Sequence, residues 1–352
     1  MDVHGTRRPA GAAVGVAVRG AGERMNARRM AAPRSRLAVT LTAACFAAGG
    51  AGAFDLQGHR GARGLAPENT LAAFSVALAQ GVTTLETDLA VTKDGVLVIA
   101  HDPSLNPDLV RDADGRWLAA PGPPIHTLTL AELRRYDIGR VNPASRYAKQ
   151  FPEQRAVDGE RFPTLQEVFA LAKASGRPVR LNIETKIRPT HPDETVDPTA
   201  FAALVVAAVR SAELAPRVTV QSFDWRTLRE AKRLAPEIGT VCLTSETEGF
   251  DTVRRASSSP SPWLAGFDLA AHGGSVPRLA QAAGCATWSP NWRNVTPGEL
   301  AQARMLGIAV VPWTVNDPAD MARLIDMGAD GLITDYPDRL RSVLASKGIR
   351  ID

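Results

Sequence analysis

Residues 83–92 read Thr83-Thr84-Leu85-Glu86-Thr87-Asp88-Leu89-Ala90-Val91-Thr92. In an extended strand successive side chains point to opposite faces, so Glu86 and Asp88 share one face while Leu85, Thr87 and Leu89 share the other. Residues 179–186 repeat the pattern, with Leu181 and Ile183 on one side and Asn182, Glu184 and Lys186 in a polar column opposite. One such strand fits a solvated edge. Two neighbouring ones in a barrel, where one face lines the interior and the other meets helices, point to a lined site.

Outward from these two runs, β-rich stretches alternate with helical ones from Phe54 onward. The other barrel strands are expected at 55–61, 218–223, 239–244, 285–289, 309–315 and 331–334. A helix is expected over 69–80 with Asn69 as its N-cap, and others over 201–211, 225–234, 276–283, 299–306 and 318–327. Lys93-Asp94-Gly95 turns the second strand into a hairpin partner at 96–100. Residues 264–269 are a ninth strand candidate outside the barrel. This order implies βαβ units around a parallel sheet: an α/β fold, specifically a (β/α)₈ TIM barrel with an insertion after the second strand at about 103–161. An open doubly wound sheet is the rival, but no Gly-x-Gly-x-x-Gly turn follows a strand.

The N-terminal stretch is set apart from this domain. Arg24, Arg28, Arg29, Arg34 and Arg36 precede an apolar run at 37–48, and small residues lead to Ala51-Gly52-Ala53. That is the layout of a secretory signal peptide, so residues 1–53 are expected to be a leader and 54–352 an exported barrel domain, periplasmic or secreted. The run is too short to favour a stable membrane anchor. Of the formal charge of +4, the leader carries eight arginines and two acids, which leaves 33 basic and 35 acidic residues beyond it. The net −2 of the remainder argues against a nucleic-acid or anionic-membrane partner. Cys242 and Cys285 are flanked by apolar residues and read as plain core residues, although export permits a disulfide.

The polar columns carry the chemistry. Two carboxylates held close inside a barrel repel and protonate unless a cation lies between them. Oxygen-only ligands suit Ca²⁺ or Mg²⁺ better than Zn²⁺, and Glu184 completes a cage with Glu86 and Asp88. Lys186 supplies a cation for an anionic substrate or, on another reading, a Schiff-base amine. Gly58-His59-Arg60-Gly61 ends the first strand and His101-Asp102 ends the hairpin strand. Both histidines are thereby placed to share acid and base work.

The ordered string Gly58-His59-Arg60-Gly61, Pro67-Glu68-Asn69-Thr70, Glu86-Thr87-Asp88, Thr92-Lys93-Asp94-Gly95 and His101-Asp102 resembles the signature of the glycerophosphodiester phosphodiesterase family. The resemblance continues through Ile183-Glu184-Thr185-Lys186, Gln221-Ser222-Phe223, Trp313-Thr314-Val315-Asn316 and Asp330-Gly331-Leu332-Ile333-Thr334-Asp335. It implies a barrel hydrolase that binds one divalent cation at Glu86, Asp88 and Glu184. It also implies an acid/base pair at His59 and His101, and phosphate contacts from Arg60 and Lys186. Gln221 and Trp313 are expected to line the substrate pocket. The implied reaction splits a small glycerophosphodiester into glycerol 3-phosphate and an alcohol. Two other readings are a lysophospholipase D acting on lipid diesters through a greasier entrance, and an exported protein that binds a phosphodiester without cleaving it.

Overall fold

The computed structural model describes residues 53–351 apart from Ser258; residues 1–52 of the expected leader lie outside it. In chain order the strands are β1 (Asp55–Gly58), β2 (Thr84–Val91), β3 (Leu97–Ile99), β4 (Arg180–Thr185), β5 (Val218–Ser222), β6 (Gly239–Thr244), β7 (Glu246–Thr247), β8 (Phe250–Asp251), β9 (Thr287–Pro290), β10 (Ala309–Val310) and β11 (Gly331–Thr334). The α-helices are α1 (Leu71–Ala79), α2 (Leu130–Leu133), α3 (Leu165–Ala174), α4 (Pro198–Ser211), α5 (Trp225–Leu234), α6 (Val276–Ala282), α7 (Pro297–Met305), α8 (Pro318–Met327) and α9 (Pro337–Ser346). Eight strands pair in parallel in the order β10-β9-β6-β5-β4-β2-β1-β11, and β3 adds antiparallel to β2. Regular pairing of β10 stops before Pro312, which has no N–H to donate. The two ends of the sheet still meet, because Asp330 N donates to Val310 O (2.9 Å) and Ile333 N to Pro312 O (3.0 Å). The result is the expected (β/α)₈ barrel.

The alternation read from the strands sets inside from outside. Leu85, Leu89, Leu181, Ile183, Val218 and Val220 are buried in the main core that the helices cover. Register then aligns the polar columns: Asp88 pairs with Glu184, and Glu184 with Gln221. Residues paired across parallel strands stand side by side on the same face, so these three side chains share one level inside the barrel.

Four local expectations change. Asn69 is not the cap of α1: it sits at φ +56, and the hydroxyl of Thr70 caps instead, accepting from Ala73 N at 3.1 Å. The reason is tertiary, since the Asn69 amide is drawn to Asp88 Oδ2 at 2.9 Å. Helices α3 and α9 were not foreseen, although Thr164 and Glu167 form a capping box at the start of α3. Residues 264–269 form no strand; a single tight turn at Pro262–Leu264 ends at Ala265 with φ +53. The excursion after β3 folds over a small core of its own, in which Ala90, Val98 and Ala100 of the hairpin pack with Leu105, Ile125 and Leu133.

The fourth correction concerns the cysteines. Cys242 and Cys285 are buried as expected, but they are joined in a disulfide, with Cα atoms 5.8 Å apart. Cys242 lies on β6 and Cys285 just before β9, and β6 and β9 are neighbours in the sheet. Barrel closure order, which the local sequence does not carry, brings the sulfurs together. The bond closes a loop over a sequence separation of 43 residues. On the chain-entropy account such a loop is worth about 4 kcal/mol. Urea unfolding with and without a thiol reductant should therefore separate by up to about that amount, with the reduced form the less stable.

Candidate active site

The end of β1 makes a tight loop at the C-terminal mouth of the barrel. A Cβ on Gly58 would lie 2.2 Å from Gly61 O, and Gly61 itself adopts φ +85 against the backbone of Ala73. Between them Arg60 takes φ +50, which turns its backbone N–H inward to donate to Glu86 Oε2 at 2.8 Å. Its side chain is held by Glu68, with Nη1 to Oε1 at 2.6 Å, and its Nε lies 3.3 Å from Asp88 Oδ2. The motif Pro67-Glu68-Asn69 thus supplies two anchors, Glu68 for Arg60 and Asn69 for Asp88.

Glu86, Asp88 and Glu184 each offer one oxygen within 4.8 Å of the others, and all three are buried. Glu86 also accepts from Gln221 Nε2 at 2.7 Å, and Glu184 accepts from Lys186 Nζ at 2.7 Å. Burial pushes the Glu184 carboxyl up to about 7, and Asp88 adds to the rise against the pull of Lys186. Burial, then the charges of Asp88 and Glu184, hold Glu86 well above the usual carboxylate range. Asp88 goes the other way: burial disfavours its charge, but Arg60, His101 and Lys186 outweigh that and hold it low. A cluster in which two of three acids resist ionisation is one that a cation would stabilise. The residues present fit a hard divalent ion.

Two histidines flank the cluster, each tied through Nδ1 to a carboxylate. His59 Nδ1 lies 2.7 Å from Asp335 Oδ1, and His101 Nδ1 lies 2.8 Å from Asp102 Oδ1. A carboxylate only accepts, so Nδ1 carries the proton in both rings, and Nε2 is left with its lone pair. Burial, then Arg63, lowers His59 to about 4; burial, then Arg60 and Lys186, lowers His101 to about 3. Asp335 is fixed in turn by a two-pronged contact from Arg63 (2.8 and 3.1 Å) and by Asn316 Nδ2 (2.6 Å). Asp102 is fixed by Asn106 Nδ2 at 2.6 Å. His59, Arg60, Glu86, His101, Glu184 and Lys186 border one cavity of about 150 Å³.

Residues 59–339 match the model of the glycerophosphoryl diester phosphodiesterase family. The chain belongs to that family. It is 28% identical over 82% of its length to a glycerophosphodiester phosphodiesterase of Caldanaerobacter subterraneus subsp. tengcongensis, covering 97% of that relative. It is 29% identical over 81% of its length to the Bacillus subtilis glycerophosphodiester phosphodiesterase, covering 84% of it. In structure it is similar to a crystal structure of a putative glycerophosphoryl diester phosphodiesterase from Silicibacter pomeroyi. That likeness has a TM-score of 0.75 and 35% identity over 85% of this chain and 96% of the other. It shares its fold with an Oleispira antarctica phosphodiesterase solved with the product sn-glycerol-3-phosphate, at TM-score 0.60 and 24% identity over 82% and 96% of the two chains.

Within this phosphodiesterase fold, all nine residues singled out in the sequence meet around the 150 Å³ cavity or in the acidic cluster at its edge. Trp313 walls it and anchors its indole N–H on Ser289 O at 3.0 Å. Gln221 also borders it, but both amide atoms are engaged: Oε1 accepts from Asn182 at 2.8 Å while Nε2 donates to Glu86. Its contacts are with the acidic cluster. Asp335, Glu68 and Arg63 were given no role from sequence. Asp335 could have been found, since it follows directly on a barrel strand at the end where such folds place functional groups.

Asp335→Asn keeps the shape but removes the charge that faces Arg63 and His59. Breaking a buried ion pair costs about 3–5 kcal/mol, and urea unfolding at pH 7 should lose about that much. Burial disfavours the Asp335 charge, but Arg63 and His59 outweigh it and hold the carboxyl below its usual range. Its contribution is therefore complete above the unfolded value of about 3.9 and is lost as pH falls through the folded value. The stability gap between wild type and variant should begin to narrow below about pH 4.

Proposed function

We propose that this chain hydrolyses glycerophosphodiesters to glycerol 3-phosphate and an alcohol, with a divalent cation held by Glu86, Asp88 and Glu184. The observation that carries the reading is the three-carboxylate cluster set between two oriented His–Asp pairs at the mouth of a family barrel. Charge supports it. The three acids face only two cations, Arg60 and Lys186, and Arg60 is also paired with Glu68, so negative charge is in excess there and a divalent ion offsets it. The all-oxygen donor set suits Ca²⁺ or Mg²⁺. When bound, such an ion withdraws electron density from the phosphoryl oxygens.

The protein's own groups do the rest. Arg60, locked by Glu68, and Lys186, locked by Glu184, present fixed donors to phosphoryl oxygens, so little reorganisation accompanies the reaction. His59 and His101 offer Nε2 from separate strand ends. One takes a proton from the attacking oxygen, and the other, protonated beside the substrate's negative charge, gives one to the departing alcohol. A binding protein has use for the cations but none for two oriented imidazoles, which disfavours the non-catalytic reading.

Export remains part of the proposal. The leader pattern at 1–53 supports it, and so does the Cys242–Cys285 disulfide, since such bonds persist in oxidising compartments. No helix among the described residues is long and apolar enough to cross a membrane. N-terminal sequencing of the secreted or periplasmic protein should start near Phe54; a cytoplasmic product retaining residues 37–48 would refute it.

The activity is tested by release of glycerol 3-phosphate from glycerophosphocholine, which a chelator should abolish and added divalent ion restore. Asp88→Asn should weaken metal binding in titration calorimetry while leaving the circular dichroism spectrum unchanged. His59→Ala and His101→Ala should each lower turnover by about 10²–10⁴-fold, without multiplying in the double variant. An activated aryl diester should rescue only the variant that lacks the acid.

A further inference from the structure

The 150 Å³ cavity opens past His101, Lys186 and Trp313 into a larger one of about 380 Å³. Its character is different. Phe223, Phe250, Trp263 and Trp313 stand edge to face around it, with centroid distances of 4.9 Å (Phe223 to Phe250), 5.3 Å (Phe223 to Trp313) and 5.7 Å (Phe250 to Trp263). Phe223, Leu243 and Trp263 form an apolar cluster of their own, apart from the core that holds the barrel together. Phe250 is 36% exposed and sits on the β7–β8 hairpin, where it contributes nothing to that core. An aromatic surface of this kind, continuous with a catalytic cavity, calls for a ligand.

The charges say which kind. Three acids border the larger cavity, and each already has partners: Asp102 accepts hydrogen bonds from His101 and Asn106, Glu184 pairs with Lys186, and Glu194 with Arg188 Nε at 2.6 Å. Two of the three charges are offset by a cation and the third is engaged by two hydrogen bonds, so the aromatic wall dominates what a ligand meets there. Binding there comes from dispersion and water release. The glycerol half of the substrate, with its hydroxyls, needs hydrogen-bond partners, and the smaller cavity has them in Arg63 and Thr314.

Resting on the phosphodiesterase reading above, we propose that the larger cavity seats the alcohol that leaves, and that it selects an apolar alkyl or aryl alcohol over a small ammonium alcohol. A glycerophosphodiester of hexanol would cover the rings of Phe223 and Trp313 and reach Phe250; one of ethanolamine would leave them wet.

The test compares kcat/KM of the mature enzyme, loaded with divalent ion, on sn-glycero-3-phosphohexanol and sn-glycero-3-phosphoethanolamine. The expected preference for the hexyl diester is about tenfold or more, since each buried methylene adds to binding. Phe250→Ala, at an exposed hairpin position, should lose most of that preference while its rate on the ethanolamine diester stays within about twofold, because the phosphate site is untouched. Trp263→Phe, which keeps a ring in place, should retain most of it. Hydrolysis of the ethanolamine diester with no hexyl preference overturns the alcohol assignment and leaves the activity standing. Equal losses on both diesters in Phe250→Ala, with an unchanged melting temperature, also overturn it. So does a chain preference that appears only when the chain is esterified to the glycerol, as in 1-hexanoyl-sn-glycero-3-phosphoethanolamine. Release of glycerol 3-phosphate from neither diester overturns the activity and this assignment together.

Discussion

Three carboxylates packed within reach of one another inside a closed barrel are the constraint to which the mouth of this protein answers. Glu86, Asp88 and Glu184 are buried and close enough to raise one another's energy. Each is stabilised by a different device. Glu86 takes a backbone N–H from Arg60 and an amide from Gln221. Asp88 takes the amide of Asn69 and lies beside two cations. Glu184 takes the ammonium of Lys186 from its own strand. The positive φ of Arg60 and Asn69 follows from the same demand, because only a sharply turned backbone aims these groups inward.

Support continues down the barrel. Beside Glu86 and one step below Asp88 and Glu184, Asn182 Nδ2 bridges Gln57 Oε1 (2.9 Å) and Gln221 Oε1 (2.8 Å), and Gln57 Nε2 donates to Asp55 at 2.8 Å. Where many barrels fill their interior with branched aliphatic layers, this one uses a chain of amides. With its carbonyl fixed by Asn182, the Gln221 amide has one orientation left, and that orientation points an N–H at Glu86. Buried amides satisfied on both sides are rigid, and the rigidity is passed to Glu86.

The excursion after β3 is tied to the same centre from outside. Its small core anchors the hairpin whose end carries His101. Its Tyr147 donates to Glu68 and accepts from Arg63, and Phe151 lies 4.7 Å under the Arg63 guanidinium. Glu68 holds Arg60 and Arg63 holds Asp335, so one aromatic pair in the insertion bears on both sides of the 150 Å³ cavity.

What the sequence determined by itself is what is local or periodic. Alternation along 83–92 and 179–186 assigned the inner face, and with it the acids and Lys186, because a strand's two-residue period leaves no other choice once one face is apolar. Strand ends marked His59 and His101, because a barrel gathers functional groups in the loops at that end of its strands. The tertiary structure decided everything that depends on which strand neighbours which. The Cys242–Cys285 bond needs β6 beside β9. The His59–Asp335 pair needs the first strand beside the last, across 276 residues. The capture of Asn69 by Asp88 overrode a good local cap, and the amides of Gln221 turned to Glu86. Aromatic side chains that follow β5 and β10 meet two from the β6–β9 connection to form one wall. Such contacts are set by barrel closure and register, and a residue's immediate neighbours in the chain carry no trace of either.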